Sequence, residues 1–412
     1  MRKILIGICA LTLFVACHKD DEPTKPDSPV DRTVLIYMAG ENNLTNWDNT
    51  ASGKYVDRDL AEIKIGAKSI GANNNLLVYV DKADSIPPYM LYFWKGELKD
   101  SIAMPESLTS DPSVLENVAR KAFTEYPANS YGLVLWGHAT GWVINKDSIA
   151  YTPSPARQKA YGGSNENNST ASAGKWWLNI PTLANVLKRL PHLSFIFCDC
   201  CHMACIENAY ELKDVTDYLI GSPAEIPGVG APYTTVTPAL MDKTNYWKTI
   251  IDKYYEQRAG GLDVPLAAIK TSEMVNLAGA TRTVLKSFAD KFGGNYPDLS
   301  GLIHYYNHIT YGNQYFDMND FILKFATTNE YQTWKQAYDK AVVYKKMAET
   351  WMTNRVIYAS DWDRYYGDFE MTEERFGGVS MFIPQYRFQY TENTTIKQMR
   401  WYYAAGYSDI GW

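Results

Sequence analysis

Short apolar runs of four to six residues recur along the chain, and segments with helical periodicity separate them. The runs occupy residues 33–38, 76–80, 133–136, 193–198, 264–269 and 379–383. Continuous apolar strands of this length, bounded by polar loops, are typical of a sheet that is covered on both faces. Their alternation with helices predicts βαβ units, and therefore an α/β fold with a largely parallel central sheet.

Two of the helical segments carry specific expectations. Asp111 followed by Pro112 is a favourable helix start, and apolar residues recur on one face from there to Tyr126. The C-terminal part of the chain is more helical and more aromatic, and segment 330–351 places its aromatic residues at helical spacing. We interpret these rings as helix packing, with stacking on sugar rings as the alternative. The run 379–383 predicts that the C-terminal region returns to the sheet.

Length and composition exclude several classes of protein. With 46% apolar and 21% charged residues, a chain of 412 residues can bury a full core, so disorder is not expected. The net charge of −6, without a block of lysine or arginine, lacks the positive surface that nucleic-acid binding requires. No EF-hand-like spacing is present, so we assign no cofactor; calcium is compatible with the many acidic residues but has no predicted position.

The first 30 residues have the pattern of an export signal followed by a tether. Two basic residues precede an apolar run that is too short to cross a bilayer and ends at Cys17, in a segment that resembles a bacterial lipobox. The signal is therefore 1–17, and a plain signal peptide with an incidental cysteine is the alternative. Residues 18–30 are rich in proline, and their Lys-Asp-Asp-Glu run resembles the surface-export signal of Bacteroidetes lipoproteins or, alternatively, a solvated linker. We expect a cell-envelope protein whose only membrane contact is a lipid anchor in the outer membrane.

Four of the six cysteines crowd into eight positions, at Cys198, Cys200, Cys201 and Cys205. Disulfides that restrain a chain join distant segments, so this cluster is not a disulfide framework. The thiols, with His202, are soft ligands for zinc, but the paired CxxC knuckles of structural zinc are absent. Packing of small residues and metal binding are the alternatives to a catalytic thiol.

Two strands end in residues that can do chemistry. One is followed by Gly-His138-Ala, and the other by Asp199-Cys-Cys201, after which residues 208–213 have a helical pattern. Sites in open parallel sheets lie beyond the carboxyl ends of the strands. A cysteine at a strand-to-helix turn faces the positive end of the helix, which predicts a lowered thiol pKa. A histidine from a neighbouring strand could then act as its base and as the acid for the leaving amine. Taken alone, His138 could also be an ordinary loop histidine.

The motifs resemble those of the clostripain-like cysteine peptidases, relatives of the caspases and gingipains. The matching segments are Tyr-Met-Ala-Gly-Glu-Asn-Asn-Leu at 37–44, Trp-Gly-His-Ala-Thr-Gly-Trp at 136–142, and the stretch from Asp-Cys-Cys-His-Met-Ala at 199–204 through Ser-Pro-Ala-Glu-Ile-Pro-Gly at 222–228. The resemblance implies a caspase-like α/β/α sandwich. We expect the peptidase core in residues 31–240 and a helical, aromatic-rich region in 241–412 that contributes late strands to it.

The resemblance also implies a role for each residue of the site. Cys201 is the nucleophile and His138 the general base and acid, and we expect no third triad member to be decisive. Asp199 lies at the floor of the pocket for the substrate residue before the cut. Separately from the resemblance, we add Glu225 as a candidate for a further acidic residue of that pocket. A carboxylate there pairs with a guanidinium or ammonium group, which implies peptide and protein substrates cut after Arg, with Lys as the other candidate. The backbone N–H groups of Cys201 and Ala139 would hold the oxyanion.

The chain departs from the pattern of this family at a few positions. Ala139 stands where many relatives carry glycine, so the oxyanion donor there is the N–H group of an alanine. Cys198 and Cys200 flank Asp199, and His202 replaces a residue that is often apolar. Because the additional thiols can be oxidised together with the nucleophile, we expect activity to need a reductant.

The segment between the two motifs, 146–175, has the composition of an exposed loop that can be nicked. Relatives often mature by cutting themselves in this region after a basic residue, and the candidates here are Lys146, Arg157, Lys159 and Lys175. A surface insertion that is never cut is the alternative. Two rival functions remain: a catalytically silent family member that binds peptides or glycans through its aromatic half, and another amide hydrolase with the same dyad.

Overall fold

The computed structural model describes residues 25–47, 53–144, 161–164, 176–256, 263–307, 314–348, 351 and 369–412. Its strands are β1 (Val30–Gly40), β2 (Asn74–Lys82), β3 (Tyr89–Trp94), β4 (Glu97–Ala103), β5 (Ala128–Gly137), β6 (Tyr161–Ser164), β7 (Trp176–Leu178), β8 (Leu193–Asp199), β9 (Thr216–Gly221), β10 (Leu266–Lys270), β11 (Phe316–Asp317), β12 (Val342–Lys346) and β13 (Ser380–Met381). Its α-helices are α1 (Tyr55–Ala67), α2 (Pro112–Glu125), α3 (Ile180–Leu187), α4 (Ile206–Leu212), α5 (Tyr233–Ala239), α6 (Tyr246–Glu256), α7 (Met274–Phe292), α8 (Met318–Phe325), α9 (Thr328–Ala341), α10 (Glu392–Thr395) and α11 (Arg400–Ala404).

Nine of the described strands form the central sheet, in the order β12-β10-β9-β8-β5-β1-β2-β3-β4. The inner strands β9, β8, β5, β1 and β2 run parallel to one another, and the outer strands on both sides are antiparallel. The prediction of an α/β fold with a largely parallel sheet is confirmed. The parallel strands are apolar on both faces because helices cover both faces.

The two faces of the sheet have separate hydrophobic cores. One core packs the sheet against α2, α3, α4 and α7, and the other packs it against α1, α5 and α6. This gives the three layers of an α/β/α sandwich. Helix α2 begins where the sequence predicts it: Pro112 is its first residue, and the Asp111 side chain accepts a hydrogen bond from the Ser113 N–H at 2.8 Å.

The predicted helix over 330–351 is wrong in its second half. Helix α9 ends at Ala341, and the next five residues form β12, which pairs antiparallel with β10 at the edge of the central sheet. The β-branched residues Val342 and Val343 favour the extended conformation at this point. Trp334 and Tyr338 are both 1% exposed, so helix packing is the confirmed interpretation for these rings.

The prediction that run 379–383 returns to the central sheet is also wrong. Its strand, β13, pairs with β11 in a separate two-stranded sheet. The backbone N–H of Ser380 donates to the Ala204 oxygen at 3.0 Å, and that of Phe382 donates to a Glu207 carboxylate oxygen at 2.7 Å. The segment that follows β8 therefore satisfies two backbone N–H groups of this run. The late strands that do join the central sheet are β10 and β12.

Several predicted features lie outside the described residues. These are the signal segment with Cys17, most of the proline-rich tether, and the 146–175 segment apart from 161–164. Among the helices that the structure describes, none is long and apolar enough to span a membrane.

Candidate active site

The register between β5 and β8 brings the two sequence motifs together. Trp136 on β5 is paired with Asp199 on β8, and the two strands are parallel neighbours. His138 and Cys201 each follow two residues after this pair, so both leave the sheet at the same edge. Neighbouring strands lie about 4.8 Å apart, which places the two backbones side by side.

His138 is half-buried at the end of β5. Its ring nitrogen Nε2 lies 2.7 Å from the side-chain oxygen of Asn43, and its backbone oxygen accepts a hydrogen bond from the Gly162 N–H at 2.9 Å. The preceding Gly137 has a φ of +144°, and a Cβ there would lie 3.0 Å from the Ala39 oxygen. A glycine is therefore needed at this turn to deliver the histidine.

Cys201 is 9% exposed and faces the loop after β9. Its Sγ lies 3.4 Å from the Ile226 backbone nitrogen, which donates to it, and 3.9 Å from the Ile226 oxygen. Burial raises the pKa of this thiol well above its usual value, and the carboxylates of Glu225 and Asp199 raise it further.

The raised pKa contradicts the expectation of a thiol that is acidified by a helix. Helix α4 begins at Ile206, and the residue at its N-cap is Cys205. The N-cap would have to be Cys201 for the helix to acidify this thiol, and the observed N-cap is four residues further along the chain. The effect of the helix dipole is confined to about one turn.

The companion thiols lie on the other face of the sheet. Cys201 belongs to the core with α1, α5 and α6, whereas Cys198, Cys200 and Cys205 belong to the core with α2, α3, α4 and α7. All four are free and buried. The candidate nucleophile thus lies in a different core from the other three thiols. Among the described residues, no group of three or more His, Cys, Asp or Glu is arranged to hold a metal ion.

Asp199 is 3% exposed, and hydrogen-bond donors from the segment just before helix α5 and from its first residue hold its carboxylate. Its two carboxylate oxygens each lie 3.1 Å from the Ala231 N–H, and Oδ2 also accepts from the Tyr233 hydroxyl at 3.0 Å. Burial raises the pKa of this carboxyl group to about 6. A carboxylate has about four lone-pair positions, so these donors leave acceptor capacity for a basic ligand.

Glu225 is fully buried and faces His202. Its Oε1 lies 3.7 Å from Nε2 of that histidine, whose Nδ1 lies 3.0 Å from the Pro223 oxygen. The His202 ring stacks on Tyr315, with centroids 4.4 Å apart, and its backbone has a φ of +58°. The structure thus places Glu225 beside His202, the residue that follows Cys201.

Ala139 is fully buried and forms an isolated antiparallel bridge with Tyr161 of β6. The non-glycine residues described with a positive φ are Lys95 and His202, so Ala139 does not adopt the left-handed conformation that favours glycine. Alanine is therefore compatible with the backbone at this position.

Several residues around the site were not singled out from the sequence. Asn43 contacts His138, Tyr233 binds Asp199, and Asp59 accepts from the Trp136 indole N–H at 2.7 Å. Asn43 lies within the recognised segment 37–44, directly after β1, so its place at the carboxyl edge was a usable signal. Tyr233 and Asp59 lie on helices, and nothing in their local sequence distinguishes them.

The comparison with protein families decides the class of this site. The model of the clostripain family matches residues 36–412, which include both strand ends and the C-terminal region. The chain belongs to the clostripain family. It is accordingly a cysteine-type peptidase, and the expected family is confirmed.

Solved structures of cysteine proteases are similar to this chain over 61–92% of its length. A secreted C11 cysteine protease from Bacteroides thetaiotaomicron, bound to an irreversible peptide inhibitor, is 29% identical with a TM-score of 0.71, covering 92% of this chain and 99% of that one. An inactive zymogen C11 protease from Parabacteroides distasonis is 28% identical with a TM-score of 0.70 and the same coverage. A cysteine protease from B. fragilis is 33% identical with a TM-score of 0.50, covering 61% of this chain and 98% of that one. None of the curated proteins compared with the chain matches it.

Proposed function

We propose that this clostripain-family peptidase is an endopeptidase that cuts after Arg, or after Lys, by means of Cys201 and His138. The observation that supports the proposal is the pairing of Trp136 with Asp199, because it brings the chain segments that carry His138 and Cys201 to the same edge of the sheet. Asp199, a buried carboxylate, lies two residues before this thiol along the chain.

The chemistry follows the general thiol route. His138 takes the proton of Cys201 Sγ as the sulfur attacks the scissile carbonyl carbon, and backbone N–H groups at Cys201 and Ala139 receive the oxyanion. The C–N bond then breaks, and His138 gives its proton to the leaving amine. Water, activated by the same imidazole, hydrolyses the resulting thioester and frees the thiol.

Asp199 is the residue that we assign to recognition of the basic side chain. Its carboxylate is charged above a pH of about 6, and its depth excludes competing water. A guanidinium group can make two parallel hydrogen bonds to such a group, whereas an ammonium group offers a point charge. Glu225 lies beside His202, and its contribution to the pocket for the basic side chain stays a prediction. The preference of Glu225→Gln for Arg over citrulline peptides tests it.

Peptide substrates with Arg, Lys or citrulline before the cut test the proposal under reducing conditions. Citrulline has nearly the shape of arginine without its charge. We expect turnover of the Arg peptide to disappear in Cys201→Ala and His138→Ala, and to persist in Cys198→Ala, the matched change on the opposite face of the strand. In Asp199→Asn the preference for Arg over citrulline should collapse while Cys201 still reacts with a thiol reagent. Absence of turnover for every basic peptide would reject the proposed specificity.

Maturation and location complete the proposal. We infer that the chain cuts itself within 146–175, after Lys146, Arg157, Lys159 or Lys175; the description of the Parabacteroides distasonis relative as an inactive zymogen is compatible with such a step. N-terminal sequencing of the purified protein locates the cut, and a Cys201→Ala chain cut as readily as wild type would exclude self-processing. We further propose an envelope location with a lipid on Cys17, which the secreted Bacteroides thetaiotaomicron relative does not contradict. Loss of membrane fractionation in Cys17→Ala tests the anchor.

A further inference from the structure

The environment of His138 determines which of its ring nitrogens carries a proton. Nε2 lies 2.7 Å from the side-chain oxygen of Asn43. An amide oxygen can only accept a hydrogen bond, so Nε2 must be the donor. In a neutral imidazole with a proton on Nε2, the lone pair lies on Nδ1.

The backbone around Asn43 is fixed by its neighbour. The Asn42 side-chain nitrogen donates to the Ala39 oxygen at 2.9 Å and to the Gly163 oxygen at 2.6 Å, while the Leu44 N–H donates to the Asn42 side-chain oxygen at 2.9 Å. Asn42 is fully buried. The turn after β1 is therefore clamped against β6, and Asn43 projects from a defined position.

The same short strand also holds the histidine. In β6, Gly162 donates its N–H to the His138 oxygen at 2.9 Å. The hydroxyl of Tyr161 lies 3.2 Å from both the Tyr37 and the Trp136 oxygens, which belong to β1 and β5. Strand β6 thus connects the backbone of His138 to the turn that carries Asn43. The contact between the Asn43 and His138 side chains is a second connection between the same two segments.

We propose that Asn43 is a positioning residue that keeps the lone pair of His138 on Nδ1, the atom that takes the proton of Cys201. The proposal rests on the function proposed above, and it adds a third member to the dyad that the sequence implied. A neutral amide suits this role because it orients the ring without the strong stabilisation of imidazolium that a carboxylate would provide. The imidazolium can then release its proton to the leaving amine.

The direct test observes the ring itself. Histidine labelled with ¹⁵N and ¹³C is incorporated into the full chain with Cys201→Ala, so that neither turnover nor self-cleavage interferes, and His138→Gln assigns the resonances. We expect the neutral ring of His138 to carry its proton on Nε2. In Asn43→Ala the two tautomers should mix, and the imidazolium should lose its proton about one pH unit lower, because a hydrogen bond to the charged form is gone. A proton on Nδ1, or a titration that Asn43→Ala leaves unmoved, would overturn the proposal.

Kinetics of the protein with an intact thiol provide the second measurement. We expect Asn43→Ala to lower kcat for an Arg peptide by about 10- to 100-fold with little change in KM, and Asn43→Asp to restore most of the rate. In the plot of kcat/KM against pH, the acidic limb should move to lower pH in the alanine variant. It should move to higher pH in the aspartate variant, which retains the acceptor and adds a negative charge. The exposed Asn329→Ala is the matched control and should equal wild type. Equal losses of kcat in both Asn43 variants, with the acidic limb of the pH profile unchanged, would indicate a purely structural role.

The two measurements separate failure of the inference from failure of the function. If no basic peptide is cut but the tautomer and the titration behave as expected, the substrate assignment is wrong and the role of Asn43 stands. If peptides are cut and the ring is insensitive to Asn43, the function stands and this inference is wrong.

Discussion

An alanine at position 230 would place a methyl group against the carboxylate that we assign to substrate recognition. Gly230 has a φ of +53°, and a Cβ built on it lies 2.7 Å from Asp199 Oδ2 and 3.2 Å from Oδ1. Contacts this short require one group to move. The Asp199 side chain is short and enclosed, so its movement disrupts its hydrogen bonds to the Ala231 N–H and the Tyr233 hydroxyl.

Gly293 offers a matched control for this substitution. Its φ is +54°, and a Cβ there has nothing within 4 Å. Alanine at either position incurs about 1–2 kcal/mol of left-handed backbone strain. Only Gly230→Ala adds the loss of a hydrogen bond to a charged carboxylate, about 1.5–3 kcal/mol. We therefore expect Gly230→Ala to be the less stable variant by that additional amount.

Urea unfolding followed by tryptophan fluorescence, at pH 7.5 with reductant and in the Cys201→Ala background, measures this difference. In the active protein, displacement of Asp199 should lower kcat/KM for an Arg peptide by about 10- to 100-fold, with the citrulline peptide much less affected. Gly293→Ala should keep wild-type selectivity. Equal destabilisation of the two variants, together with an unchanged preference of Gly230→Ala for Arg over citrulline, would refute the placement of Asp199 in the pocket.

Three further outcomes follow from the electrostatics of the site. Because burial raises the pKa of Asp199 to about 6, this group gains a proton as the pH falls through 6. The ratio of kcat/KM for Arg over citrulline should therefore fall towards unity between pH 7 and pH 5, and a flat ratio would contradict the assignment. Tyr233→Phe removes the donor 3.0 Å from Asp199 Oδ2, so the same transition should move about one unit higher, with about threefold slower cleavage of the Arg peptide at pH 6.5. Since burial raises the pKa of Cys201, its alkylation by iodoacetamide, followed by mass spectrometry, should be slow at pH 7 and keep accelerating above pH 8. An alkylation rate that reaches a plateau below pH 7 would instead indicate a preformed thiolate.

The buried strands were predictable because each is a continuous apolar run. The runs at 33–38, 76–80, 133–136 and 193–198 lie within β1, β2, β5 and β8. Which of these strands are neighbours was not predictable, since any buried parallel strand has the same composition. The end of helix α9 at Ala341 was missed because the apolar spacing continues beyond it, and only the two adjacent valines signalled the change to a strand.

The residues of the candidate site also fall into two groups, those that the sequence pointed to and those that it did not. The position of His138, Asp199 and Cys201 at one edge of the sheet was predictable, because each ends or follows a recognisable strand within a recognisable motif. The role of Asn43 was not accessible, because it depends on β6, a four-residue strand that the sequence does not distinguish from a loop. The error in the thiol pKa has a different origin. The predicted helix over 208–213 already began beyond Cys201, as α4 does at Ile206, whereas the burial and the two carboxylates that raise the pKa depend on tertiary packing.

The raised pKa of Cys201 and the contact between Asn43 and His138 lead to one view of the catalytic step. A thiol that is protonated at rest has to lose its proton as the sulfur attacks, so catalysis depends on a base whose lone pair already faces the correct direction. In a preformed thiolate–imidazolium pair both ring nitrogens already carry protons, so no tautomer of the neutral ring has to be selected before the attack. Burial of Cys201 thus makes the orientation of His138 important. Under the proposed function, the interactions of β6 with β1 and β5 therefore support catalysis, although no side chain of β6 is required to touch the substrate.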